Sequence, residues 1–135
     1  MIDVETGEVV LKDGTRLGRD LTLDEFVHVS PLYKQARRGE GAKGWTSWYL
    51  NVEMPKGGRF HLCLRFKDDP LHWIELSLPW NGKPFIAEPA WKAAHDQWIE
   101  ETTGTAPPIT RPWGSVDSFA DDRSGQCLIL VKYRG

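Results

Sequence analysis

The chain has 135 residues, 40% of them hydrophobic and 27% charged, with a formal net charge of −2. That length suits one domain spanning residues 1–135 with its own apolar core, and the composition excludes a disordered chain. The mild acidic balance supplies no global field for nucleic acid or an anionic membrane, and no stretch nears the roughly 18 consecutive apolar residues of a membrane span.

Residues 8–17 read as a small hairpin, with Asp13 and Gly14 as its tight turn. Thr22 then opens a helix, and Glu25, three residues on, completes a capping box. Ser30 and Pro31 repeat the helix-start chemistry, so residues 22–38 are expected to form two short helical pieces. The basic run between Lys34 and Lys43 is rich in glycine and is expected to be a solvated loop.

The centre of the chain alternates with period two. Trp48, Leu50, Val52 and Met54 point one way, and Trp45, Ser47, Tyr49, Asn51 and Glu53 the other. After a turn at residues 55–58, Phe60, Leu62, Leu64 and Phe66 oppose Arg59, His61, Cys63 and Arg65. A third segment sets Ile74, Leu76 and Leu78 against Trp73, Glu75 and Ser77. Three such segments joined by short turns predict an antiparallel meander with one apolar face and one mixed face.

Residues 88–103 are the main helix, with Pro89 in its first turn and Gly104 after its last. Trp91, Ala94, His95, Trp98, Ile99 and Thr102 fall at helical spacing, a stripe suited to covering the meander's apolar face. Residues 115–120 and 126–133 make a last hairpin joined by an acidic turn at Asp121 and Asp122. The second strand is apolar on both sides and therefore belongs in the sheet interior. The expected class is α+β: an antiparallel sheet (a meander plus a C-terminal hairpin), with one main amphipathic helix and a short N-terminal helical segment on one face.

Cys63 and Cys127 each lie in an apolar run and read as core residues, not as a disulfide or metal pair. Seven tryptophans (Trp45, Trp48, Trp73, Trp80, Trp91, Trp98 and Trp113) are more than one core needs, and some suit a contact surface.

Trp113, Gly114, Ser118, Asp121, Gly125, Ile129 and Tyr133 form a WG…S…D…G…I…Y ending that resembles one seen in small uncharacterised bacterial proteins. Lys92, His95, Asp96, Trp98 and Gly104 resemble the helix before that ending, and Gly14, Thr22 and Phe26 the opening segment. Some of those proteins look like immunity or accessory proteins encoded beside secreted toxins. The resemblance implies a cytoplasmic protein that binds another protein; it implies no catalytic residue. The absence of a charged n-region followed by an apolar h-region is consistent with that address.

No motif for catalysis, metal or nucleotide stands out, and no cofactor is expected. His95 and Asp96 are adjacent on a helix and diverge by about 100°, so they cannot share a metal from one face. His95 reads instead as a helix-border histidine with one nitrogen on a carbonyl. Asp68 and Asp69, like Asp121 and Asp122, lack the alternating ligands of a calcium loop. The mixed face is the candidate site. Tyr49, His61, Arg65, Trp73 and Glu75 sit within cross-strand reach there and are the expected binding residues, with a protein as partner and neither nucleic acid nor membrane. A second reading, a small hydrolase, makes His61 and Glu75 an acid–base pair beside a concave pocket.

Overall fold

The computed structural model describes residues 1–33, 35–78, 88–121 and 126–134. Strands β1 (Val9–Val10) and β2 (Arg16–Leu17) form the expected hairpin. Helix α1 (Leu23–Val29) starts at Thr22, whose hydroxyl accepts the Glu25 N–H at 3.1 Å while the Glu25 carboxylate accepts the Thr22 N–H at 3.3 Å. A 3-10 turn follows (Ser30–Leu32), and Val29, rather than Ser30, is its capping residue. Then come β3 (Arg37–Glu40), β4 (Trp45–Glu53), β5 (Arg59–Lys67), β6 (Leu71–Ser77), α2 (Glu88–Thr103), β7 (Ile109–Arg111), β8 (Gly114–Asp121) and β9 (Gln126–Tyr133). Among the described residues β3 to β9 make one antiparallel seven-stranded sheet in the order β3-β4-β5-β6-β9-β8-β7. The fold is therefore α+β, with the meander and the C-terminal hairpin joined through β6 and β9.

Two local expectations are corrected. Residues 35–38 are not helical, and the basic run is not all loop: Arg37 to Glu40 pair with Tyr49 to Thr46 along the edge of β4. A helix is weakly favoured there only by local chemistry, whereas pairing satisfies a row of β4 backbone groups that would otherwise be open. The charged sequence of β3 also blunts the new edge against further pairing. The short strand β7 was not anticipated either; three residues are too few for a periodic signal. Lys34, Trp80, Asp122 and Gly125 lie outside the described residues.

The apolar face behaves as the alternation requires. Leu50, Leu62, Leu64, Phe66, Ile74 and Leu76 are at most 2% exposed, and Val116, Ile129 and Val131 continue the face across β8 and β9. The helix expected to cover the meander does so only in part. Helix α2 lies over β8 and β9 and reaches the meander through Trp98, whose ring centroid is 4.6 Å from that of Phe60. The far end is closed by α1, where Phe26 packs on Trp48 and Phe66 at 5.3 and 6.1 Å. Val9, Leu11 and Leu17 of the N-terminal hairpin belong to the same core.

The C-terminal residues quoted for the WG-type ending act as fasteners. The Trp113 indole N–H donates to the Val4 carbonyl at 2.8 Å, and the Tyr133 hydroxyl donates to the Gly7 carbonyl at 2.7 Å. Gly114, at φ 150°, lies so close to the Lys132 carbonyl that a Cβ has no room. Ser118 is buried under α2, where it accepts from the Lys92 ammonium at 3.0 Å and donates to Asp96. These contacts tie the first hairpin and α2 to the sheet.

Candidate protein-binding face

The alternation that buries one side of the sheet turns Trp45, Ser47, Tyr49, Cys63, Arg65, Trp73, Glu75 and Lys132 to the other. Cross-strand register then sets their order. Ser47, Arg65, Trp73 and Lys132 run side by side across β4, β5, β6 and β9. One row down, Arg37, Tyr49, Cys63, Glu75, Leu130 and Asp117 do the same from β3 to β8. Neighbours in such a row stand about 5 Å apart.

Two of the five expected binding residues, Arg65 and Trp73, converge on the carboxylate of a third, Glu75. Glu75 Oε2 accepts the Arg65 Nε–H at 2.9 Å and the Trp73 indole N–H at 2.9 Å. Arg65 uses a further N–H on the Ser47 hydroxyl, also at 2.9 Å. Partial burial alone would lower the Arg65 pKa, but the hydrogen bond and charge of Glu75 outweigh it and hold the guanidinium above its usual value. Trp73 is fixed on its other side by Trp45, with centroids 4.9 Å apart, and His72 packs edge-on to Trp45 at 5.5 Å. Lys67 sits over the Trp45 ring at 5.6 Å and Arg37 over the Tyr49 ring at 5.9 Å. The result is an outward-facing cluster of aromatic and cationic side chains joined by these contacts.

His61 stands apart. Its Nδ1 hydrogen-bonds the Asn51 side-chain oxygen, and Asn51 in turn donates to Gln35 at 3.1 Å. Among the described residues no hydrogen bond joins His61 to Glu75, whose Oε2 is already engaged twice. A hollow of about 490 Å³ does open beside them, lined by Tyr49, His61, Cys63, Glu75, Trp91 and Leu128 among others. Burial pushes the Cys63 thiol up to about 11, against the pull of Arg65, so it is a neutral lining group and not a thiolate. The hollow thus has an apolar wall and no paired acid and base.

His95 lies on the covered side, fully buried. Its Nε2 accepts the Leu78 N–H at 3.1 Å, so the ring bonds a backbone donor and not the carbonyl expected for it. Desolvation pulls its pKa down to about 4. Among the described residues no group of three or more His, Cys, Asp or Glu side chains is placed to hold a metal ion, and no helix is long and apolar enough to cross a membrane.

Sequence reading placed Trp45, Ser47 and Tyr49 on this face but left Trp45 and Ser47 out of the site, and it missed Arg37, Lys67 and Lys132. The period-two alternation carried the signal for Trp45. The pairing of Lys67 with Trp45 and of Lys132 with Trp73 depends on register, including the shift between Arg65 and Phe66, which alternation does not encode.

The fold has a solved counterpart. A chain of the structure of Rhs1-CT in complex with cognate immunity protein RhsI1 matches this one with a TM-score of 0.67 at 19% sequence identity, over 98% of this chain and 86% of that chain. At that identity the likeness is one of fold. No protein-family model and no curated protein matches the sequence.

Proposed function

We propose that this chain is a protein-binding module of the immunity type, which neutralises a bacterial toxin in the cytoplasm by occupying it with the open face of its sheet. The observation that carries the reading is the match, nearly end to end, to a chain of a complex formed with a cognate immunity protein. The open face adds a physical reason. Arg65, Glu75 and Trp73 are already locked together, and Tyr49 and Trp45 are held beside them by cations. Side chains ordered before binding lose less entropy on docking, and Trp, Tyr and Arg are the residue types that dominate interface energetics. Tyr49, His61, Arg65, Trp73 and Glu75 are assigned to this interface, with Trp73 as its centre.

The hydrolase reading is weaker, because Glu75 is committed to Arg65 and Trp73, and His61 to Asn51. The test is co-expression with the toxin candidates encoded beside the gene. The reading expects one of them to arrest growth alone, to be tolerated with this chain, and to co-purify with it as a stable complex. Growth arrest by every candidate regardless of this chain would refute it. So would hydrolytic turnover that depends on His61.

A further inference from the structure

The open face is not electrically neutral. Of its described carboxylates, Glu75 is paired with Arg65 and Glu53 with Lys12 and Arg59 at 3.3 and 3.7 Å, while Asp117, which accepts the Ser118 N–H at 2.8 Å, keeps its charge uncompensated among the described residues. Arg37, Lys67 and Lys132, all exposed, have no carboxylate within ion-pair distance among the described residues. Two of them flank the Trp45 and Trp73 pair, Lys67 lying over Trp45 and Lys132 being the cross-strand neighbour of Trp73, while Arg37 lies over Tyr49 one row farther along the sheet. A chain of net charge −2 thus gathers cations without carboxylate partners among the described residues beside a pair of half-buried, mutually packed tryptophans.

We infer that the Trp45 and Trp73 end of the open face docks an acidic surface of a protein partner, with Lys67 and Lys132 meeting its carboxylates around the aromatic centre and Arg37 extending the basic contact beside Tyr49. The inference rests on the protein-binding reading and adds the chemistry of the partner. Uncompensated charges beside a desolvated aromatic cluster steer association and reject partners of the same sign. An acidic protein fits better than a nucleic acid. The Trp45 and Trp73 rings are tilted 47° and closed on each other, and Trp73 is also pinned by its N–H. Bases need open ring faces, and a phosphate backbone needs a longer basic track.

The test combines the charge-reversed variant Lys67→Glu/Lys132→Glu with two readouts. Both lysines are exposed, so the thermal midpoint should stay that of the parent, and circular dichroism checks it. In the first readout, tryptophan fluorescence is followed on titration with short poly-L-glutamate, poly-L-lysine and oligo-dT at low and physiological salt. Quenching by poly-L-glutamate is expected, weakened by salt and lost in the variant. No response to poly-L-glutamate, or tighter binding of oligo-dT, overturns the inference. In the second, the variant is co-expressed with the toxin that the parent neutralises. Its association rate should fall by about tenfold or more. Equal protection and equal rates with parent and variant overturn the acidic contact but leave the immunity reading standing. Neutralisation of no toxin, with charge-dependent poly-L-glutamate binding intact, removes the immunity reading and leaves the acidic contact.

Discussion

The two faces of the sheet are made by the same strands and differ in almost everything else. On the covered face, Leu64, Phe66, Ile74, Leu76, Ile129 and Val131 are fully buried under α1, α2 and the N-terminal hairpin. On the open face, Trp45, Trp73 and Arg65 are half-buried and Tyr49 and Phe119 are exposed, yet their neighbours there are held by hydrogen bonds and ring contacts. Order on the covered side follows from exclusion of water and is required for folding. Order on the open side is bought with polar groups in partial contact with solvent, where each pair contributes little to stability. That cluster is the basis of the recognition role proposed for this face.

That contrast can be broken at several points. The largest effect is expected on the covered face. Phe66→Ala removes a ring with no exposure that packs on Phe26, and should cost about 3–5 kcal/mol in urea unfolding. A cost below about 1 kcal/mol would mean the covered face is not the core.

Next is the buried His95, whose pKa burial lowers to about 4 from the unfolded value near 6.5. The unfolded chain therefore binds a proton that the folded chain refuses. Stability should be complete above about pH 6.5 and fall as the pH drops toward 4, by ~3 kcal/mol at most. Unfolding curves of the parent and of His95→Leu across that window separate this contribution from those of the carboxylates.

Tyr133→Phe deletes the hydroxyl bond to the Gly7 carbonyl while keeping the ring against Trp113, and should cost about 1–2 kcal/mol. The smallest change in stability is expected on the open face. Trp73→Ala should alter unfolding by about 1 kcal/mol or less while weakening partner binding by about 2 kcal/mol or more, read by calorimetry. A large loss of stability with unchanged binding would place Trp73 in the core and erase the distinction between the faces.

Much of this was legible in the alternation. The assignment of Leu50, Leu62 and Ile74 to one face and of Tyr49, Arg65 and Glu75 to the other needed only period two. The span of α2 followed from Pro89, Gly104 and the stripe between them. What failed were short or edge elements. Arg37 to Glu40 carry no apolar pattern because an edge strand is charged to discourage pairing, so they looked like a loop. The site was half visible: its residue types and face were, its wiring was not. His61 and Glu75 seemed equally available for each other, yet Asn51 and Arg65 take them apart.

The sequence by itself determined which side chains could share a face, where α1 and α2 begin, and that one core would form, because these depend on local backbone geometry and hydrophobic period. Only the tertiary structure decided that β9 enters beside β6, that α2 crosses β8 and β9 and leaves the meander's end to Phe26, and that Lys67 and Lys132 flank the Trp45 and Trp73 pair. Those outcomes depend on strand order and register, which are fixed by contacts between residues far apart in the chain.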